Sequence, residues 1–434
     1  MSSEVFRVSH ARRWKVPAAA GAVVAGAFVA FSRLPVAAQG AIWGEDGSVF
    51  LQKALESNNV TGLFAPYAGY LHVVPRLAAS LTVKLFAVDR YGIVMNFLSC
   101  LTVSLIAFLV FHCSKALTKN IYIRLAWASI TIFVAPAPIE ALGNFANIHW
   151  YLLWLVPWLL LKPASSKFEG ITLFVAAALA SLTEISSAMF LPLFLYRYKD
   201  TSFWPARFGV LVGVACQVAT TLTYPRPAPE GNYPLNVWSV VEGWFLHGSS
   251  ALMFGNAHQI TNNIVFYGAA SIVLAAIPFF GAFAGILIWG TNQQRLLACV
   301  FMLGSFVAYA AAQTVNFSKV ADYVTFDKSA WTVFYLTRYA TITSMLLLGL
   351  IPLLAAVLER KSPGWWRAVL GGFLVLQVVY FFPVSVIRQD GPVWQESVQA
   401  QRTACSGDAQ LGSIVVPITP AFWSVELQCD RLRR

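Results

Sequence analysis

The run VPAAAGAVVAGAFVAFSRLPVAA, residues 16–38, is apolar apart from Ser32 and Arg33. It is about 23 residues long, against about 20 for a bilayer crossing and 7–15 for the core of a cleaved signal peptide. It therefore reads as an uncleaved first span. His10, Arg12, Arg13 and Lys15 precede it, and cations beside a span stay on the cytosolic side. The expectation is a cytosolic N-terminus.

Ten further apolar runs follow, near residues 92–112, 121–135, 148–161, 170–183, 185–196, 206–223, 263–289, 296–314, 339–357 and 366–384. Of the 434 residues, 58% are hydrophobic and 11% charged, against roughly 45–50% and about 25% in a soluble domain. A soluble multidomain enzyme is excluded. The expected fold class is an all-α polytopic membrane protein with about eleven transmembrane helices, the core occupying residues 1–387. A non-cytosolic tail would follow at 388–434.

The net charge of +11 would suggest nucleic acid in a soluble chain, but here the basic residues mark topology, and no nucleic-acid partner is expected. With alternate loops counted from a cytosolic start, every inner loop carries cations: Lys115, Lys119 and Arg124; Lys162 and Lys167; Arg197, Lys199 and Arg207; Arg295; Arg360, Lys361 and Arg367. The outer segments hold Glu45, Asp46, Glu140, Glu184, Glu230, Glu242, Asp322, Asp327, Asp390 and Asp408, with Lys53, Lys84, Lys319 and Lys328 among them. Short basic loops fix orientation more strongly than long mixed ones.

Residues 168–198 are too long for one span and too short for two full ones. The cations at both ends share the cytosolic side only if the stretch is a hairpin with its tip at Thr183, Glu184, Ile185, Ser186 and Ser187. Polar backbone at depth is tolerated where it lines a cavity, so the tip is a candidate cavity wall.

The first outer loop, residues 39–91, contains Leu71 to Ala87, in which His72, Arg76, Ser80 and Lys84 recur every four residues. At about 100° per residue they form one polar stripe, as on an interfacial helix. The cations either bind a ligand or extend to lipid headgroups. The same loop opens with Trp43-Gly44-Glu45-Asp46-Gly47. An acid there caps a helix start, or, with a pKa raised near the membrane surface, serves as a base.

These residues resemble the GT-C superfamily of membrane glycosyltransferases, which take sugars from polyprenyl-phosphate carriers on the non-cytosolic face. That family carries its catalytic acid in the first outer loop, often as an acidic pair followed by an aromatic and a small residue. Asp46, with Phe50 and Ala54 at steps of four, is similar to that arrangement. Glu45 sits one position early, and the order is Glu-Asp where Asp-Glu is commoner. The proline-containing segment Tyr70 to Leu77 is similar to the helix that follows in the family. The resemblance implies Asp46, or else Glu45, as the base that deprotonates an acceptor hydroxyl, with inversion at the sugar. It also implies a polyprenyl-phosphate sugar donor, its phosphate held by Arg76 or Arg338, and a glycan or lipid acceptor.

A second constellation is Glu140, Asn144, Asn147 and Tyr151, at offsets that share one face of a helix, with His149 and Trp150 alongside. Amides and aromatics at an outer helix end suit sugar hydroxyls, and equally suit an interfacial belt. Arg338-Tyr339 begins a span from the outer side and needs a partner there, either a donor phosphate or an acid such as Asp322 or Asp327.

No His pair at i, i+4 and no CxxC occurs, so neither a metal nor another cofactor is expected. Cys405 and Cys429 in the tail form a disulfide candidate, whereas Cys100, Cys113, Cys216 and Cys299 lie in or near spans. Asn59-Val60-Thr61 and Asn316-Phe317-Ser318 fit the glycosylation pattern. The expected localisation is the cell membrane of the envelope, multi-pass and among membrane lipids, with the active face and the C-terminus non-cytosolic. A polytopic transporter or lipid flippase is the competing class, with a membrane scaffold third. A transporter would place acids in mid-span and show related halves.

Overall fold

The computed structural model describes residues 15–57, 59–226, 233–362, 364–407 and 411–433. His10, Arg12, Arg13, Glu230 and Asp408 lie outside the described residues. Among the described residues, six helices are long and apolar enough to cross a membrane: Val88–Ala116, Ile121–Glu140, Thr201–Thr223, Ala269–Trp289, Asn292–Val315 and Tyr339–Lys361. Shorter apolar helices run over Pro17–Ser32, Ile148–Leu160, Ile185–Leu195 and Trp365–Val379. The chain is a predominantly helical protein of membrane type.

The elements that position the site are α1 (Lys15–Ser32), α2 (Val73–Leu85), α3 (Tyr91–Cys113), α4 (Ile148–Leu160), α5 (Lys167–Ser181), α6 (Trp204–Thr223) and α7 (Asn292–Val315). The tail adds α8 (Trp394–Gly407) and an antiparallel hairpin of β1 (Ser413–Ile418) and β2 (Trp423–Gln428). At the centre lies α4, with every residue buried. Its Trp154 and Trp158 pack on Trp127 and Phe301, with ring centroids 5.2–5.6 Å apart. A helix apolar all round is stable only when neighbours surround it.

The 168–198 stretch is a hairpin with Glu184 at its turn, but its two arms differ. The first is α5; the second, Ile185–Leu195, is a 3₁₀ helix. At about 1.5 Å rise per residue for α and about 2.0 Å for 3₁₀, fifteen and eleven residues both cover about 22 Å. The tighter winding lets the shorter arm return as far as the longer one.

Two expectations are corrected. The helix carrying the His72 stripe exists, but its polar side turns inward. His72 and Arg76 are buried, Lys84 is exposed, and the outward face is Leu77, Leu81 and Leu85. Glu140 to Tyr151 is not one helix: Ala137–Glu140 is a short turn, Gly143 takes φ +77°, and α4 starts at Ile148. A left-handed residue ends a helix, and glycine adopts it without a steric penalty. The tail adds a two-stranded hairpin to the otherwise helical chain. Ile414, Val416 and Ile418 alternate with exposed positions and face the protein across from Val425 and Leu427, as a half-buried hairpin requires.

The tail lies on the first outer loop. Thr419 N–H donates to the Ile42 carbonyl (3.1 Å), Glu426 N–H to Gln52 Oε1 (3.1 Å) and Arg431 to the Leu55 carbonyl (2.6 Å). The glycines that flank the acidic pair are explained by this packing. A Cβ on Gly44 would meet the Trp423 ring at 2.8 Å, and one on Gly47 would meet Val425 at 2.9 Å. Cys405 and Cys429 are disulfide-bonded.

Candidate active site

An open cavity of about 590 Å³ is walled by the segment after α1, the start of α4, the hairpin tip and the C-terminal ends of α6 and α7. Of the residues singled out from sequence, Glu45, His72, Asn147, His149, Glu184, Arg338 and Tyr339 line it. Asp46, Arg76, Glu140 and Asn144 do not; they stand behind its walls and hold them in place.

Glu45 and Asp46 are adjacent on a helical run whose stretch Asp46–Leu51 is a π-turn. Neighbouring residues on a helix diverge by about 100°, so only one can face the cavity, and it is Glu45, half-buried in the wall. Asp46 is buried and faces the other way. Its Oδ2 accepts the Phe145 N–H (2.9 Å) and its Oδ1 the Ala146 N–H (2.7 Å), so it does not cap its own helix. Burial raises its pKa to about 7, against the lowering effect of the Phe145 N–H, the Arg388 charge and the Ala146 N–H.

Arg76 stacks its guanidinium 5.4 Å over the Phe50 ring, in a separate small recess with Lys53, Asn59 and Ser80. Phe50 stands between it and the cavity. His72 lines the cavity beneath Tyr70, Tyr67 and Phe50, with ring centroids 4.1, 5.7 and 5.6 Å away. Burial, aided by His149 and Arg76, holds this imidazole well below its ordinary pKa, and it is neutral.

The tyrosines flank the turn Tyr67-Ala68-Gly69-Tyr70, closed by reciprocal main-chain bonds of 3.0 and 3.2 Å, with φ +50° at Ala68 and +87° at Gly69. Three side chains from other elements anchor the segment that follows from it. Thr221 donates to the Gly69 carbonyl, Gln217 bonds both main-chain groups of Leu71, and the Thr183 hydroxyl accepts the Val74 N–H. Positive φ at a non-glycine residue is a strained conformation that such anchoring maintains.

Arg338 finds its acid in Glu140 rather than in Asp322 or Asp327. Its main-chain N–H donates to Glu140 Oε2 (2.6 Å) and its Nη1 to Oε1 (3.2 Å). Burial would lower the Arg338 pKa, but Glu140 more than offsets this and holds it above its usual range. Asp322 is engaged by Ser239, Asn236 and Tyr233, and Asp327 caps Lys328–Trp331. Asn144 donates to the Glu140 carbonyl and accepts the Asn147 N–H, which sets the loop from which Asn147 and His149 reach the cavity.

At the hairpin tip Glu184 bonds His149 Nδ1 and accepts the Ser186 N–H (2.7 Å). His149 packs on Trp150 at 4.2 Å, and Trp150 meets Tyr339 edge-on at 5.8 Å. Arg226 and Tyr67 are lining residues that the sequence did not single out. Arg226 donates to Asn316 Oδ1 (2.8 Å) at the rim, and Tyr67 and Tyr70 form the aromatic side. Arg226 lies in the Pro-rich segment after α6, and its charge among prolines was the available signal. Asn316, one of the two glycosylation candidates, is part of this rim; Asn59 is exposed and caps Val60–Leu63.

The cavity thus offers a carboxylate, two cations, a histidine–carboxylate pair and aromatic faces. No family model, curated protein or solved structure matches the chain.

Proposed function

We propose that the chain is a multi-pass glycosyltransferase of GT-C type that moves a sugar from a polyprenyl-phosphate carrier to an acceptor hydroxyl, on a glycan or lipid, at the non-cytosolic face. In this reading the six long helices, the four shorter apolar ones and α5 make eleven crossings. The N-terminus is then cytosolic and the C-terminus outside.

One observation carries the reading: Glu45 and Arg338, from distant parts of the chain, face the same cavity, with Arg226 also in its lining. A carboxylate and cations converging on a roomy, aromatic-walled site suit a sugar phosphate. The geometry favours Glu45 over Asp46 as base, since both Asp46 oxygens already accept main-chain N–H groups.

Glu45 takes the proton of the acceptor hydroxyl as its oxygen bonds the anomeric carbon. The bond from that carbon to the phosphate oxygen breaks, its electron pair leaving with the phosphate. A single displacement inverts configuration. Arg338 and Arg226 stabilise the developing phosphate charge, the kind of fixed electrostatic support that lowers such barriers most.

The test is a transfer assay on the purified full chain with a panel of polyprenyl-phosphate sugars, scoring polyprenyl phosphate release against glycosidic product. Equal amounts of the two support the reading. Movement of the lipid across the bilayer with no bond formed overturns it in favour of a flippase.

A further inference from the structure

The hairpin tip places Glu184, Ile185 and Ser186 in the cavity wall. Glu184 is buried at the turn between α5 and the 3₁₀ arm, 3% exposed, and bonds His149 Nδ1 while Ser186 N–H holds its other oxygen. His149 itself is 7% exposed and lines the cavity. With Nδ1 committed to a carboxylate, the Nε2 side is the one left for a ligand, and no protein group bonds it among the described residues. A carboxylate on one ring nitrogen fixes the tautomer and orientation of the other and stabilises the imidazolium. An interfacial belt does not need a histidine–carboxylate pair turned into a cavity.

The reaction proposed above supplies a partner for that nitrogen. Its leaving group is a phosphate monoester, whose second ionisation lies near pH 6, so its oxygen takes up a proton readily as the bond to carbon breaks. Arg338 and Arg226 supply charge at the same cavity but do not release protons at such pH.

We propose that His149, positioned by Glu184, is the general acid of this site and protonates the departing phosphate oxygen. The inference rests on the glycosyltransferase reading. As the anomeric carbon–oxygen bond breaks, the Nε2 proton passes to the leaving oxygen, giving a phosphate monoanion and a neutral imidazole paired to Glu184. The acceptor proton is on Glu45. Solvent then reprotonates His149 and deprotonates Glu45, and the cycle closes. Besides Glu184, the ionisable groups that face His149 across the cavity are Glu45, Tyr67, Tyr70, His72, Arg226, Arg338 and Tyr339, and none of these seven bonds it among the described residues.

The test measures transfer by the full chain in wild type, His149→Gln and Glu184→Gln, across pH, with polyprenyl phosphate binding measured in parallel. His149→Gln is expected to lower kcat at least about 100-fold while donor KM and polyprenyl phosphate affinity change less than about threefold. It also removes the alkaline decline in kcat. Glu184→Gln keeps a hydrogen bond but removes the charge that favours imidazolium, so the alkaline decline should move to lower pH. That displacement is not expected of a purely structural role, and it keeps the idea testable if His149→Gln misfolds. An active wild type with kcat and pH profile unchanged in both variants overturns this inference alone. A wild type that forms no glycosidic bond overturns the underlying reading and this one with it.

Discussion

Asp46 and Arg388 grip the same loop by its opposite polarities. Asp46 takes the N–H groups of Phe145 and Ala146, while Arg388, fully buried, donates to the carbonyls of Leu142 (2.6 Å) and Gly143 (2.8 Å) and to Asn96 Oδ1 (3.1 Å). The loop between leads into Asn147 and His149, so an acid from the first outer loop and a cation from the tail together set the floor of the cavity. Buried main-chain groups outside regular structure need such partners.

This division of labour separates the two neighbouring acids by experiment. Glu45→Gln is expected to lower transfer about 10²–10⁴-fold with the thermal midpoint unchanged. In Asp46→Asn the amide can accept one main-chain N–H but turns its own NH₂ toward the other, a loss of about 1–3 kcal/mol. Its signature is a lower thermal midpoint with a smaller effect on the rate of the folded fraction. The opposite ranking of rates returns the role of base to Asp46.

Asp46 also makes stability depend on pH in a specific sense. Its pKa is raised from 3.8 unfolded to about 7 folded, so the folded state holds the proton more tightly. Its contribution is greatest below pH about 4 and is lost as pH rises to about 7, after which it is flat. Thermal midpoints of wild type and Asp46→Asn measured across this window should differ in slope, the wild type falling more steeply with rising pH. Parallel curves would reject a protonated Asp46.

The sequence makes some of this legible and hides the rest for identifiable reasons. Charge on the flanks disclosed the 168–198 hairpin and its Glu184 tip, because topology depends on loop cations, which are visible in one dimension. The stripe from His72 to Lys84 disclosed a helix but not which side faces inward, since periodicity carries no reference direction. Glu45 and Asp46 could not be told apart because the choice depends on where loop 142–146 lies, a contact about 100 residues away. The helix drawn through Glu140 and Tyr151 ignored Gly143, which was a readable break. The alternation of Ile414, Val416 and Ile418 was likewise a strand signal in plain view.

The Glu140–Arg338 pair predicts a split between charge and shape. Arg338→Lys keeps a cation but loses the planar donor set that meets Glu140, and the Arg338 main-chain bond to Glu140 persists. Donor KM should rise several-fold with little change in folding. Arg338→Ala leaves the Glu140 carboxylate, largely buried, without its countercharge, at a loss of about 3 kcal/mol or more. Removing the acid too, as Glu140→Gln with Arg338→Ala, should recover part of the stability but none of the donor affinity. Recovery of donor affinity would exclude Arg338 from the phosphate site.

The tail offers the most direct physical handle on the site from outside it. The Cys405–Cys429 bond closes a loop across a separation of 24 residues, which in the chain-entropy model stabilises the closed form by about 3 kcal/mol. That loop contains the hairpin whose Trp423 and Val425 cover Gly44 and Gly47, so opening it loosens the backing of the acidic pair without touching the cavity. Such a bond persists only in an oxidising compartment, which is the side the proposed topology assigns to the C-terminus. Cys405→Ser with Cys429→Ser should therefore lower the thermal midpoint and reduce kcat through misplacement of Glu45. A reporter fused after Arg434 should read non-cytosolic, and maleimide applied to unreduced membranes should label neither tail cysteine. Free thiols at both positions together with a cytosolic reporter would remove one span from the proposed eleven.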